Sequence, residues 1–213
     1  METSTIDSDI RFSSRSKIAK RVFDLICTIP GLIILAPIFL LIAICIKLTD
    51  RGPVFFAQER IGYKGEPFRI LKFRTMVVDA DKKGGQLTVG KDPRITRIGS
   101  LLRKTKLDEL PQLVNVLKGE MSLVGPRPEV PKYVNLYTAV QRKVLYLMPG
   151  ITDPASIAFR NENAILAHAN DPDSVYINEI MPQKIHLNLE YAKTSSLLTD
   201  LTTIFRTIFK LFK

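Results

Sequence analysis

The sequence has no tryptophan, two cysteines, two histidines and only 8% aromatic residues, and each scarcity narrows the chemistry. Few flat rings weigh against a platform that stacks bases, so nucleic acid is not the expected partner. Cys27 and Cys45 both sit inside an apolar run, where neither spacing nor context suits a disulfide framework or a zinc site. His168 and His186 stand far apart with no Cys beside them, and are read as surface or packing residues rather than ligands. Acidic side chains are outnumbered: 21 Asp and Glu face 31 Lys and Arg, a formal charge of +10 on 213 residues. That balance favours a polyanionic partner, whether nucleic acid, an anionic membrane surface or a phosphorylated substrate. The length suits one domain with room for an appendage.

Residues 1–16 are rich in Ser, Thr and Asp and lack apolar periodicity, so a flexible tail is expected. They do not resemble a signal peptide, because the apolar run comes later and no small-residue cleavage site follows it. That run, Leu25 to Ile46, holds 22 uncharged residues, enough to cross a hydrocarbon core of roughly 30 Å as a helix. Pro37 near its middle, with Pro30-Gly31 before it, argues against a plain crossing, since an interior proline removes a backbone bond and kinks a helix. The 12 residues before Pro37 and the nine after it are each too short to span alone. Basic residues flank both ends: Arg11, Arg15, Lys17, Lys20 and Arg21 before, Lys47, Arg51, Arg60 and Lys64 after. A spanning helix normally shows a cytoplasmic bias of Lys and Arg. Two readings stay open on these residues: a broken helix that returns to the same leaflet, and a kinked spanning helix. A buried soluble hairpin is a third.

After the run, Val54–Gln58 and Pro67–Arg74 read as two strands around the turn Ile61–Glu66, a small hairpin. Arg69, Lys72 and Arg74 cluster on the second strand, either as a solvated basic edge or as a phosphate-facing group. Residues Asp79 to Pro93 form a polar loop. Within it, Gly85 to Lys91 fits the first seven places of a phosphate-binding loop, but Asp92 stands where the magnesium-binding hydroxyl belongs, and that reading is rejected. Ile95, Ile98, Leu101 and Leu102 space as one face of a short helix.

The helix leads into Arg103–Pro128, where two adjacent carboxylates, Asp108 and Glu109, follow a basic cluster. Neighbouring positive charge favours the ionised carboxylate, which can be a nucleophile, a base or a ligand for a hard cation such as Mg²⁺. The plainer alternative is that one of the pair caps the next helix, where acids suit the dipole. That helix carries Leu110, Leu113, Val114 and Leu117 on its apolar face, and Gly119 is its stop. Pro126-Arg127-Pro128 then fixes two φ angles around one guanidinium, as a bidentate phosphate or carboxylate contact requires, although an ordinary proline turn with an exposed Arg reads the same way. Further on, helices are expected over Tyr133–Met148 and Tyr176–Thr194, with Ile151–Asp173 irregular between them. At the C-terminus, Leu197, Leu198, Leu201, Ile204, Phe205, Ile208 and Phe212 share one face of a basic amphipathic helix. Such a helix suits a membrane interface, or alternatively packs on the protein's own core.

Taken together in order, the stretches Gly52–Phe56, Gln58–Gly62, Lys72–Met76, Leu107–Leu113, Asn115–Ser122, Val124–Pro128 and Pro149–Thr152 resemble the small bacterial sugar transferases, the monotopic polyprenol-phosphate phosphoglycosyl transferases. The resemblance runs from about residue 17 to the C-terminus. It implies transfer of a phosphosugar from a UDP-sugar to polyprenol phosphate with release of UMP, the first membrane step of surface glycan assembly. The family's Asp-Glu pair falls on Asp108, as a nucleophile forming a covalent phosphosugar intermediate, and on Glu109, as base or metal ligand, with Mg²⁺ neutralising the diphosphate. Its phosphate- or nucleotide-binding cations fall on Lys72, Arg103, Arg127 and Arg160. Its membrane helix is re-entrant and broken at a proline, here Pro37. The implied fold is mainly α with a small β-hairpin (α+β), divided as tail 1–16, re-entrant helix 17–48, catalytic domain 49–194 and interfacial helix 195–213. It implies the inner membrane as location, with the catalytic domain in the cytoplasm; the sequence sets no oligomeric state.

Two departures stand out. Many family members have Ser before the helix-breaking proline where this chain has Ala36, and many read Gly-Trp-Ala-Gln-Val where it has Asp153-Pro154-Ala155-Ser156-Ile157. The second bears on sugar specificity and on the role of Arg160. Two rival functions are a nucleotide-sugar glycosyltransferase that releases UDP, and a non-enzymatic basic scaffold at the membrane surface.

Overall fold

The computed structural model describes residues 14–80, 90 and 92–211. The expected tail (but for its last residues) and the phosphate-loop lookalike (but for Gly90) lie outside the described residues, as does Phe212. The chain is mainly helical with a small β component.

Helix α1, Ser14–Asp50, contains the apolar run. Its portion Lys17–Asp50 is long and apolar enough to cross a membrane, and little of it is buried within the protein. Pro30 and Pro37 both lie inside the helix, so the carbonyls of Ile26 and Ile33 lose their helical amide partners. Helical structure continues through both prolines. Both ends of α1 dock on the rest of the chain. At the N-terminal end Lys20 pairs with Asp200, Arg21 donates to the carbonyls of Val116 (2.5 Å) and Leu117 (2.9 Å), and Asp24 accepts from the Leu123 amide at 3.1 Å. At the other end Ile42 and Ile46 are buried with Phe73 and Leu102, Phe39 meets Phe73 edge-on at 5.2 Å, and Asp50 pairs with Arg74. Between them Ile33, Ile34, Leu40 and Leu41 are exposed.

Strands β1 (Phe55–Ile61) and β2 (Pro67–Phe73) form the expected antiparallel hairpin, in register from Phe55↔Phe73 to Ile61↔Pro67. A single 3-10 turn, Tyr63–Gly65, joins them, with Lys64 and Gly65 at positive φ. Helix α2, Arg97–Thr105, begins at Thr96, whose hydroxyl accepts from the Gly99 amide at 2.9 Å. It ends where Lys106 turns left-handed (φ 58°). A Cβ on Gly99 would lie 1.9 Å from the Thr75 carbonyl oxygen, so only glycine lets α2 press this closely on the chain leaving β2. Helix α3, Gln112–Lys118, closes on Gly119 at φ 86°, as its sequence position suggested.

Strands β3 (Ser122–Val124) and β4 (Gly150–Thr152) pair in parallel, an element the sequence reading did not contain. Two expectations are corrected between and after them. Instead of one helix over Tyr133–Met148 there is a single turn, α4 (Pro131–Val134), and a separate 3-10 segment, Gln141–Tyr146. The apolar residues of this stretch, among them Tyr133, Val134, Val144 and Leu147, enter the main core without needing one continuous helix. Instead of irregular chain over Ile151–Asp173 there are three short helices, α5 (Pro154–Ala158), α6 (Glu162–Ala167) and α7 (Pro172–Val175). Two of these have Asp caps followed by Pro: Asp153 accepts from the Ser156 amide and Asp171 from the Ser174 amide.

The helix expected over Tyr176–Thr194 is present as a π turn, Tyr176–Ile180, running into α8, Met181–Thr194, with Pro182 just past the junction, where its missing amide interrupts the regular α pattern. Helix α9, Leu197–Leu211, is amphipathic in the sense opposite to that of a soluble surface helix. Its polar Asp200 and Thr203 are buried, whereas Leu198, Phe205, Ile208 and Phe209 are exposed. Asp200 accepts from the Tyr191 hydroxyl, and Thr207 Oγ1 lies 2.6 Å from Thr152 Oγ1.

Candidate active site

Asp108 and Glu109 occupy a single 3-10 turn, Leu107–Glu109, between α2 and α3. The left-handed Lys106 reverses the chain before it, and Pro111, next to Gln112, sets the start of α3. No side chain caps α3, so the capping role open to this pair on sequence grounds is not the one it takes. Both carboxylates are buried.

Glu109 is the hub of an ion-pair network. Arg127 Nη1 donates to Oε2 at 3.1 Å, its Nη2 donates to Oε1, and Lys72 Nζ donates to Oε1 at 3.1 Å. The forked Arg contact is the strong, directional kind. Burial alone would raise the Glu109 pKa, but Arg127 and Lys72 together hold it well below the usual carboxylate range. Burial pulls Lys72 down to about 8 against the attraction of Glu109. Glu109 conversely drives the Arg127 pKa still higher.

Asp108 differs from its neighbour. Its Oδ1 is buried and has no hydrogen-bond partner among the described residues. Burial first, then the Glu109 charge, raises its pKa, while Lys72, Lys106 and Arg103 pull the other way. Arg103 Nε donates to Thr75 Oγ1 at 2.9 Å, so the close packing of α2 at Gly99 also sets the reach of this guanidinium. A desolvated carboxylate oxygen with no partner among the described residues, in the field of three cations, is poorly explained as a stabilising element and well suited to receive a ligand.

The Pro126-Arg127-Pro128 turn is held from several sides. Asp153 Oδ2 accepts from the Arg127 amide at 3.1 Å, Arg60 Nη1 donates to the Pro128 carbonyl at 3.2 Å, and the Gly150 amide donates to the Pro126 carbonyl at 3.0 Å. Asn115 performs a similar service for Lys72. Its carboxamide accepts from the Leu71 amide (3.0 Å) and donates to the Arg69 carbonyl (2.8 Å) and to Glu120 (2.7 Å), tying β2 to α3.

The structure thus gathers Asp108, Glu109, Lys72, Arg103 and Arg127 in one place. It does not join Arg160 to them: that exposed side chain donates to the Lys210 carbonyl at the end of α9, where a cation meets the negative end of a helix. Lys210 Nζ returns a bond to the Ile157 carbonyl at 3.0 Å. Pro37 lies on the exposed stretch of α1. Several positioning residues escaped the sequence reading, among them Arg60, Asn115 and Asp153. Asp153 had a legible signal, an Asp before a Pro at a helix start; the other two are defined only by contacts distant in sequence. Gln112 was also missed. It is fully buried, and neither side-chain amide atom has a hydrogen-bond partner among the described residues.

As a cation site the cluster is sparse: among the described residues no group of three or more His, Cys, Asp or Glu converges. Both oxygens of Glu109 are engaged by cations, leaving Asp108 Oδ1 as the open anionic donor. One carboxylate oxygen fits Mg²⁺, which commonly takes one or two carboxylates and completes its shell with substrate phosphates and water.

Residues 15–213 match the family model described as bacterial sugar transferase. The chain belongs to that family. Among its relatives is the exopolysaccharide production protein ExoY of Sinorhizobium fredii (strain NBRC 101917 / NGR234), 37% identical over 206 residues that make up 90% of this chain and 84% of that one. The ExoY protein of Rhizobium meliloti (strain 1021) is 35% identical over 205 residues, 89% of this chain and 84% of that one. The UDP-glucose:undecaprenyl-phosphate glucose-1-phosphate transferase of Escherichia coli (strain K12) is 36% identical over 209 residues, 96% of this chain but 42% of that longer protein.

Proposed function

We propose that this sugar transferase is a polyprenyl-phosphate sugar phosphotransferase of exopolysaccharide or related glycan synthesis. It moves a phosphosugar from a UDP-sugar to polyprenol phosphate and releases UMP. The names of the relatives support the reaction class: transfer of glucose 1-phosphate out of UDP-glucose leaves UMP by mass balance. The observation that carries the reading is the buried Asp108 oxygen with no partner among the described residues, set among cations beside a fully paired Glu109.

In this reading Asp108 attacks the phosphorus that bears the sugar. A new oxygen–phosphorus bond forms, the bridging bond of the diphosphate breaks, and UMP departs with the bridging oxygen. An oxygen of the lipid phosphate then attacks the same phosphorus and frees Asp108. Repulsion between a carboxylate and a diphosphate opposes the first step, and Lys72, Arg103 and Arg127 offset it with preorganised positive charge. Glu109 keeps Lys72 and Arg127 in register before substrate arrives. Asp108 Oδ1 would contribute to holding Mg²⁺ together with the diphosphate, and the ion would supply further charge neutralisation there.

The membrane arrangement follows from α1. Its two ends dock on one body, the first through Lys20, Arg21 and Asp24, the second through Ile42, Ile46 and Asp50. A helix with both ends on one body enters and leaves the bilayer from one side, with its exposed middle in the acyl layer. Pro37, on that middle, is the natural place for it to bend. The outward apolar face of α9 lies in the same interface. The catalytic body then sits on the cytoplasmic face of the inner membrane, where the basic charge meets anionic lipid.

The test is nucleotide release. Purified protein in detergent, given UDP-sugars, polyprenol phosphate and Mg²⁺, is expected to yield UMP, and Asp108→Asn to lower turnover by about a thousandfold or more. UDP as product, or full turnover in Asp108→Asn, would overturn the assignment.

A further inference from the structure

Beside the Pro126-Arg127-Pro128 turn lies a small, partly open cleft that Arg127 lines but Asp108 and Glu109 do not. Its walls are largely apolar, with Pro126, Pro128, Leu147, Met181 and Ile185 among them. Six polar side chains join them: Arg127, Glu129, Tyr137, Tyr176, Lys184 and Asn188. Four of the six are already committed. Arg127 pairs with Glu109, Glu129 pairs with Arg60 at 3.1 Å and accepts from the Tyr176 hydroxyl, and Lys184 donates to Glu162 at 2.8 Å. Tyr137 and Asn188 are the exceptions. Asn188 is 5% exposed, and its Oδ1 has no hydrogen-bond partner among the described residues.

We propose that this cleft receives the pyrimidine base of the nucleotide substrate, with the Asn188 carboxamide reading the base's polar edge. The inference rests on the nucleotide-sugar reading above and adds where that substrate's leaving half is held. A diphosphate lying against Arg127 carries two substituents, a hexose on one phosphate and a nucleoside on the other. A hexose brings several hydroxyls, each of which loses water on burial and needs a partner. Among the described residues the cleft offers two uncommitted polar side chains, Tyr137 and Asn188, too few to supply them. A pyrimidine is flat, largely apolar on both faces, and concentrates its hydrogen bonding on one edge. Uracil presents N3–H beside a carbonyl oxygen there, and a carboxamide presents the complementary acceptor and donor. Apolar walls with one free hydroxyl and one free amide are therefore a better match to the base than to the sugar. The turn itself serves both sites: its guanidinium faces Glu109, and its flanking prolines wall the cleft.

Binding of UMP and of ribose 5-phosphate to the full chain in detergent, measured by calorimetry, separates base from phosphate. UMP is expected to bind the native protein more tightly than ribose 5-phosphate. Asn188→Leu, close in size but without the amide, is expected to weaken UMP about tenfold and to leave ribose 5-phosphate unchanged. Equal UMP affinity in the native protein and Asn188→Leu would overturn the base site while leaving the nucleotide-sugar reading in place. UMP binding no better than inorganic phosphate in the native protein would overturn both. A measurement that needs no variant is photocrosslinking of 4-thiouridine monophosphate to the native chain. An adduct within Met181–Asn188 or on the Pro126–Glu129 turn supports the site, and an adduct confined to other segments overturns it.

Discussion

Adjacent carboxylates in one 3-10 turn acquire opposite characters here because of what reaches each. Glu109 is saturated by Arg127 and Lys72, and Asp108 keeps an oxygen with no partner among the described residues. Lys72 is the titratable member of the set. Its pKa falls from 10.5 to about 8, so its charge is lost as pH rises through about 8, and with it part of the positive field over Asp108. A decline in kcat/KM above about pH 8 is expected, and Lys72→Arg, whose guanidinium stays charged, should move that decline to higher pH. A pH–rate profile of the two proteins checks this. The same shift lowers stability below pH 8, and that penalty fades as pH rises toward 10.5, because over that window the unfolded chain binds the extra proton. At this scale the resemblance to the sugar transferases named Asp108, Glu109, Lys72, Arg103 and Arg127, and the structure brings those five side chains together. Arg160 lies apart from them, and nothing in Phe159-Arg160-Asn161 signals that its guanidinium meets the end of a helix 50 residues further along.

The elements divide by length. Helices α1, α2, α3, α8 and α9 and the β1–β2 hairpin were legible because each repeats its apolar pattern often enough to fix a period. Helices α4 to α7 have between four and six residues, less than two turns, and a period cannot be read from so few positions. The three-residue strands β3 and β4 are shorter still, and parallel pairing across an intervening segment leaves no local signature. Two substitutions test how elements hold the site. Asn115→Ala removes three hydrogen bonds between β2, α3 and Glu120 and is expected to cost about 2–4 kcal/mol, read by denaturant unfolding in detergent. Asp153→Ala removes the cap of α5 and the acceptor for the Arg127 amide. A loss of about 1–2 kcal/mol is expected, with KM for the nucleotide-sugar rising more than kcat falls, as steady-state kinetics would register.

For the molecule as a whole, the arrangement of α1 makes a topological statement. In sealed vesicles of cysteine-substituted protein (Cys27 and Cys45 replaced by Ser), single cysteines at Lys17 and Leu48 are both expected to react with a membrane-impermeant maleimide added to the same side. Reaction from opposite sides would mean that α1 spans. Timing adds a separate consequence. The ion pair between Lys20 and Asp200 links residues 180 positions apart, and the Tyr191 hydroxyl shares the same carboxylate. On the ribosome α1 emerges first and can meet the bilayer while the catalytic residues are still unmade. Its N-terminal clamp cannot close until α9 has been synthesised. Docking through Arg21, Asp24 and Ile42 can begin earlier, and the Lys20–Asp200 lock is added only once α9 is made.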